Sequence, residues 1–203
     1  MTIALIDIYN GALGKLGVER IAVIDEDSDQ RIALDDQYTQ SLEAVLEAFP
    51  WKFATKRVAL AADVTAPIFP EDMYRFIIPD DCVRILSVWN GVTNDIEWDE
   101  EEGFVITDQD TFYIRYTSNG IAVTDFSKLF RETLEYKLAA QVALPLKQNR
   151  GVMETMVTLF QQKLIQAQTI DSTKRSKRKA SQKSSWLSSR GSARIKPAKV
   201  LYD

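Results

Sequence analysis

Residues 34–54, with the sequence LDDQYTQSLEAVLEAFPWKFA, contain the change of hydrophobic period from which we predict the fold. Up to Phe49, apolar side chains recur every three or four residues, which indicates one buried face of a helix. Those side chains are Leu34, Tyr38, Leu42, Val45, Leu46 and Phe49. Pro50 is expected to end the helix, because proline has no N–H and its ring clashes with the preceding turn. The period changes from Trp51 onward, so the sequence predicts a long helix followed by β structure.

A helix is also predicted upstream, in residues 3–16, where apolar side chains follow the same period. They are Ile3, Ile6, Tyr9, Leu13 and Leu16. Gly17 is expected to end this helix in the left-handed conformation that glycine adopts without strain. Asp27 and Gln30 have the spacing of a capping box at the start of the long helix. The loop between the two helices carries three apolar residues that we expect to contact the body of the protein, namely Ile21, Val23 and Ile24.

The segment from residue 51 to about residue 123 is predicted to be β structure, because β-branched and aromatic runs alternate there with turn residues. The runs are residues 58–60, 74–78, 83–89, 104–106 and 112–116. Turns are expected at Asn90-Gly91, Glu102-Gly103 and Asn119-Gly120. In the last run Phe112, Ile114 and Tyr116 share one face, which predicts an antiparallel sheet with its other face in water.

Helical periodicity returns in residues 126–145, where Pro145 is expected to end the helix, and again from about residue 151. The apolar positions are Phe126, Phe130, Leu134, Leu138 and Val142, then Val152, Met156, Leu159, Phe160 and Leu164. The predicted fold class is therefore α+β: a four-helix bundle, an antiparallel β platform inserted between helices 2 and 3, and an extended basic C-terminal arm. We assign residues 1–54 and 124–171 to the bundle, 55–123 to the β-rich insert and 172–203 to the arm.

The amino-acid composition excludes several classes of catalytic site. The 203 residues include no histidine and one cysteine, Cys82. Without histidine the chain cannot itself provide a Ser-His-Asp or Cys-His nucleophile system or a His-Glu-x-x-His zinc site. A single cysteine cannot form an internal disulfide or a cysteine-based structural zinc site, so folding requires no oxidising compartment. We predict a structural protein rather than an enzyme, with no cofactor and no bound metal.

Formal charge is divided unevenly along the chain. Ten of the 25 basic residues and one of the 29 acidic residues lie in residues 172–203, so this segment carries +9 and the remainder −13. An acidic body with a basic tail suggests that the tail docks on a partner. Residues 1–8 lack the basic start of a signal peptide, and no apolar run approaches the ~20 residues of a membrane helix. We expect a soluble protein with no membrane partner, made in the cytoplasm of the cell that produces it.

The composition of the C-terminal segment leaves three functions open. Its basic side chains could dock on an acidic protein surface, contact nucleic-acid phosphates, or keep the terminus soluble. Apolar residues within it favour docking, because such residues often anchor an arm on its partner. The candidate docking residues are Lys174, Arg175, Lys177, Arg178, Lys179, Lys183, Trp186, Leu187, Arg190, Arg194, Lys196, Lys199, Leu201 and Tyr202.

Other motifs have structural explanations. Residues 11–15, GALGK, resemble a phosphate-binding loop, but the spacing is wrong and Leu16 replaces the required hydroxyl, so we expect small residues at a close helix contact. The acidic run 99–102 and the segment 108–110 lack the ligand spacing of a calcium loop and are expected to be solvated. Cys82 is expected to be a small buried hydrophobic residue at the start of a strand. Four aromatic residues are assigned to the core or to interfaces, because basic residues are not interleaved with them as in a nucleic-acid stacking groove. They are Trp51, Phe53, Trp89 and Trp98.

The order of these segments resembles a known family. Residues 10–17, NGALGKLG, are followed by the apolar loop, the acidic cap, a helix containing Tyr38, and the segment Pro50-Trp51-Lys52-Phe53-Ala54. This succession resembles the tail tubular protein A family of short-tailed bacteriophages, the head-to-tail adaptor proteins. The resemblance covers residues 3–170, and the Trp-x-Phe-Ala segment is its most specific part. The family-like positions are Leu13, Gly14, Leu16, Gly17, Tyr38, Pro50, Trp51 and Phe53.

The resemblance implies a structural role in the virion, at the interface between head and tail. Adaptors of this family assemble, commonly as twelve copies, into a ring beneath the portal protein and around the DNA channel. The ring presents a surface to the tail nozzle and tail fibres, and genomic DNA passes through it without sequence-specific binding. By resemblance, residues 172–203 are expected to embrace the portal. The alternatives are a peptidoglycan hydrolase of the tail, an activity credited to some wider relatives, and a basic-tailed nucleic-acid-binding protein.

Overall fold

The computed structural model describes residues 4–63 and 74–173, which form four α-helices, one short 3₁₀ helix and two antiparallel sheets. The α-helices are α1 (Leu5–Leu16), α2 (Asp29–Glu47), α3 (Lys128–Lys147) and α4 (Arg150–Thr173), and the 3₁₀ helix is Val123–Asp125. The strands are β1 (Thr55–Leu60), β2 (Tyr74–Ile77), β3 (Cys82–Trp89), β4 (Asp99–Glu101), β5 (Phe104–Thr107) and β6 (Phe112–Ser118). The predicted α+β class is confirmed, with the strands between the second and third helices.

The ends of α1 and α2 follow local capping chemistry. Gly17 has φ of +61° and ends α1, as predicted. The N-cap of α2 is Ser28, whose hydroxyl accepts a hydrogen bond from the Arg31 N–H at 3.3 Å. The capping box predicted at Asp27 was therefore wrong by one residue. The helix also ends at Glu47, before Pro50, because a short turn lies between them.

Helix α3 does not end at Pro145, so that prediction was wrong. It continues to Lys147, and Gln148 then takes the left-handed conformation, with its N–H donating to the Leu144 carbonyl at 2.9 Å. The proline lies in the last turn, where it removes one backbone donor and the left-handed cap still closes the helix. Helix α4 extends to Thr173, two residues past the expected start of the basic segment.

The larger hydrophobic core is built around α3, which contacts each of the other three helices. Its buried residues come from all four helices and from the segment after α2. In the loop between α1 and α2, the side chain of Asn10 donates to the Ile21 carbonyl and accepts from the Ile21 N–H, at 3.0 and 2.9 Å. This clamp turns Ile21 into the core, and Ile24 is partly buried against it, as expected. Val23 is 58% exposed, so its predicted contact was wrong.

The strands form two three-stranded antiparallel sheets, β1-β6-β3 and β2-β5-β4. Phe112, Ile114 and Tyr116 are buried on one face of β6, as predicted. They form a second hydrophobic cluster with Phe76 and Val105 of the other sheet, so the two sheets face each other.

One strand was not foreseen. Residues 99–102 were expected to be a solvated hairpin tip, but Asp99–Glu101 pairs with β5 as strand β4. The turn itself consists of Glu102 and Gly103, with φ of +48° and +84°, which is the pattern of a type I′ hairpin turn. The turn prediction was correct, and the acidic side chains are exposed on a strand.

Trp51 lies at the corner between the helices and the sheets and is fully buried. Its indole N–H donates to the Val45 carbonyl at 2.7 Å, which ties the chain back onto the end of α2. Its ring contacts Phe49 and Phe130 edge-to-face, at centroid distances of 5.2 and 5.1 Å. Phe53 adds a contact to Phe130 at 4.7 Å. The corner therefore places β1 relative to the helical core.

Replacing Trp51 with alanine is expected to lower the free energy of unfolding by about 3–5 kcal/mol, because the substitution leaves a cavity and an unpaired carbonyl. The same substitution at Trp89, which is 44% exposed, is expected to cost about 1 kcal/mol or less. Urea denaturation followed by far-ultraviolet circular dichroism measures both values. Equal destabilisation by the two substitutions would contradict the role assigned to Trp51.

Candidate functional site

The C-terminal end of α4 is held against the corner that Trp51 forms. Asp171 is 4% exposed, and its carboxylate accepts a hydrogen bond from the Lys52 N–H at 3.2 Å. One turn earlier, the Gln168 side chain donates to the Ala48 carbonyl at 3.4 Å. Ala167 is buried in the larger core. The last described turn of the chain is therefore attached to the segment between α2 and β1.

The predicted docking residues, Lys174 to Tyr202, lie outside the described residues. The structure does place the point from which they continue, at Thr173. That point follows Asp171 by two residues, so it lies beside the segment containing Lys52. The candidate docking arm thus begins at a defined position on the folded body.

Most of the family-like positions belong to the larger core or to its edges. Leu13, Leu16 and Trp51 are buried in it, and Tyr38 and Phe53 are partly buried against it. Tyr38 contacts the ring of Tyr9 edge-to-face at 5.8 Å. The remaining three positions are Gly14, which is exposed, Gly17, which caps α1, and Pro50, which precedes the corner. These residues do not converge on one site; they fix the first two helices and the turn that follows.

The run Gly11–Lys15 lies on α1 where that helix approaches α3. A Cβ atom at Gly11 would lie 2.5 Å from Cδ of Glu135, whose carboxylate pairs with Lys15. The expected close helix contact is therefore present at Gly11. It is absent at Gly14, where the nearest atom to an added Cβ would be on Arg20, 4.0 Å away.

Asp81 is the centre of a hydrogen-bond network at the end of the first sheet. Its carboxylate accepts from Lys56 Nζ at 2.6 Å, Ser118 Oγ at 2.7 Å and Tyr116 OH at 3.0 Å. Partial burial would raise the pKa of Asp81, but the hydrogen bonds from Lys56, Ser118 and Tyr116 outweigh it and hold the pKa below its ordinary value. Asn119, just after β6, donates in turn to Glu43 on α2 at 3.0 Å. The network therefore connects the sheet to the helical part.

The acidic and thiol groups named from the sequence do not form a catalytic arrangement. In residues 4–63 and 74–173, no three His, Cys, Asp or Glu side chains are grouped as metal ligands would be. Asp108 and Asp110 are exposed. Cys82 is half-buried against the smaller core, and burial, followed by the charges of Glu100 and Asp81, raises the pKa of its thiol to about 11. The thiol is therefore protonated at neutral pH.

The outer face of the β1-β6-β3 sheet is a surface that the sequence analysis missed. Strand register places Arg57, Arg115 and Ser87 in one cross-strand row, and Ala59, Tyr113 and Trp89 in the next. We call these six residues the basic face. They line an open groove of about 410 Å³. The rings of Trp89 and Tyr113 are 5.3 Å apart.

The alternation in residues 112–116 contained the signal for this face. Once Phe112, Ile114 and Tyr116 were assigned inward, Tyr113 and Arg115 had to point outward. What the sequence could not supply was the strand pairing, which brings Arg57 and Trp89 beside them from distant positions. The expectation that aromatic and basic residues are not interleaved was correct along the chain and wrong across the sheet.

Comparison with known proteins gives no family assignment: no protein-family model matches the chain, and no curated protein matches it significantly. Among the helices of the described ranges, none has both the length and the apolar composition needed to cross a membrane.

Replacing Asp81 with asparagine is expected to lower stability at pH 7 and to have a diminishing effect as the pH falls. Because the pKa of Asp81 is depressed in the folded state, its stabilising effect is present above the unfolded-state pKa of about 3.9 and is lost as the pH falls through the folded-state pKa. Asp80→Asn is the matched control, since Asp80 is exposed. Urea denaturation at pH 7, 5 and 3.5 measures the difference. A deficit of Asp81→Asn that stays constant with pH would contradict this assignment.

Proposed function

We propose that this protein is a head-to-tail adaptor subunit of a short-tailed bacteriophage. In this proposal its helices form a four-helix bundle that carries the sheets as an antiparallel β platform. Copies assemble as a ring beneath the portal protein, line part of the DNA channel, and offer a surface to the tail nozzle and fibres. The role is architectural and includes no catalytic step. The proposal rests on the family resemblance of residues 3–170 and on the features of the folded body that follow.

The observation that carries the proposal is the attachment of α4 at the corner. An arm that reaches a partner loses conformational entropy on docking, and it loses less when its first residue is already fixed. Here the hydrogen bond from Lys52 to buried Asp171 fixes the chain two residues before the described part ends. The basic segment therefore starts from a rigid surface, as a docking arm requires.

The division of charge supports the same role. The −13 of residues 1–171 gives the body a like charge to DNA, so a channel lined by it would not retain the genome. The +9 of residues 172–203 can meanwhile neutralise an acidic surface on the portal. One chain can in this way hold a protein partner while DNA slides past.

Ring assembly would also strengthen the attachment of each arm. Trp186, Leu187 and Leu201 can act as apolar anchors between the basic residues. Once one subunit is bound, its neighbours in the ring dock their arms at high effective concentration. Arms that are weak singly can therefore hold the ring firmly.

Deleting residues 174–203 is expected to leave a folded body that no longer assembles with the portal. The deletion keeps α4 and the contact of Asp171 intact. A matched control retains the full length and the apolar anchors but replaces the ten basic residues of the segment with glutamine, which isolates the contribution of charge. Co-sedimentation with purified portal, followed by negative-stain imaging, measures assembly. Unchanged assembly of the truncated protein would overturn the docking role.

Two further measurements separate the alternatives. A basic-tailed nucleic-acid-binding protein would bind DNA with an affinity that falls steeply with salt and disappears with the tail. A peptidoglycan hydrolase would clear a cell-wall suspension. The adaptor proposal predicts portal-dependent rings and no clearing of peptidoglycan.

A further inference from the structure

The basic face carries two like charges side by side. Arg57 and Arg115 are directly opposite each other in the β1-β6 register, an arrangement that is destabilising when it is not compensated. Arg57 is exposed and forms no ion pair with any other residue of the described ranges. Next to this pair lies Trp89, a large apolar side chain at 44% exposure. A cationic groove with an exposed indole at its edge has the composition of a protein-binding surface for an anionic partner.

The chain itself carries a complementary surface, on strand β4. Asp99, Glu100 and Glu101 are all exposed, and so is Glu102 in the adjoining turn. Within the described part of the chain, none of these four carboxylates accepts a hydrogen bond or forms an ion pair. β4 is also the edge strand of its sheet, so its side chains stand at the border of the molecule.

These two surfaces cannot meet within one molecule. The β2-β5-β4 sheet lies against the inner face of the β1-β6-β3 sheet, where Phe76 stacks on Phe112 at 5.4 Å. The basic face is the opposite face of that same sheet. Strand β4 of one chain can therefore reach only the basic face of another chain.

We propose that the basic face of each copy binds strand β4 of a neighbouring copy. Arg57 and Arg115 would pair with the carboxylates, and Trp89 would pack over the hairpin. Because two different surfaces meet, the contact is heterologous, and repetition of it generates a ring when the rotation closes. The inference rests on the proposed ring and names the surfaces that build it.

Nucleic acid is the other anionic occupant that such a face could take. The described body argues against it, because the −13 of residues 1–171 repels a polyanion. The same excess of acidic residues makes a second copy of the chain a suitable partner. Charge complementarity therefore favours β4 of the neighbouring subunit.

Charge reversal tests this contact. A face variant, Arg57→Glu with Ala59→Glu, changes two exposed positions, and a strand variant, Asp99→Lys with Glu101→Lys, changes two positions on one side of β4. Each variant alone is expected to self-associate at least tenfold more weakly than the wild type at low salt, and to form no rings on portal. An equimolar mixture should restore association and give alternating rings, because each face then meets a strand of opposite charge. Sedimentation equilibrium and negative-stain imaging measure the two effects.

Matched controls reverse exposed charges elsewhere, with Arg20→Glu for the face variant and Asp25→Lys with Asp27→Lys for the strand variant. These controls should associate as the wild type does, and circular dichroism should show native folding for every variant. Association of the face and strand variants at wild-type strength, or a mixture that fails to restore association, would overturn the inference. Single-stranded oligonucleotide binding that the face variant abolishes would also overturn it, in favour of nucleic acid.

The outcome separates this inference from the adaptor proposal. If wild-type rings form on portal and both variants form them equally, the contact is wrong and the adaptor role stands. If charge reversal and restoration govern self-association but no ring forms on portal, the contact is right and the adaptor role fails. A wild-type protein that neither self-associates nor forms rings would overturn both.

Discussion

The burial of Trp51 is the constraint on which the rest of the structure depends. Its indole joins the end of α2, the start of the sheets and α3 through one hydrogen bond and two edge-to-face ring contacts. Without it, the turn after α2 would have no fixed direction, and β1 would not be placed against β6. The position of the sheets relative to the helices is thus set by one side chain, supported at a distance by the Asp81 network.

The same corner also fixes the end of α4, because the residue after Trp51 donates its backbone N–H to Asp171. One local structure therefore determines two features with functional meaning: the direction of the sheets and the starting point of the basic arm. In the adaptor proposal these features face different partners, since the arm would dock on the portal and the sheets would contact neighbouring subunits. Both proposals thus depend on a core that is shared by all four helices.

Much of the fold followed from hydrophobic periodicity, because burial on one face leaves a strong and local signal. Four helices, five of the six strands and the Glu102-Gly103 turn were predicted. The errors arose where a local residue preference competed with its surroundings, as at Ser28, which caps α2 in place of Asp27, and at Pro145, which a helix end tolerates. Strand β4 was missed because its three acidic residues have low strand propensity, and it forms only through pairing with β5. The basic face was missed because it depends on strand register, which joins residues 57, 89 and 115.

The central claim is that the corner presents a docking arm to the portal. Hydrogen–deuterium exchange of the full chain, with and without purified portal, tests it most directly. We expect backbone amides in residues 174–203 to become protected when portal is present, while the amides of α1 and α3 exchange as before. An arm that exchanges equally fast in both conditions would contradict the account, even if the two proteins still bind each other through another surface.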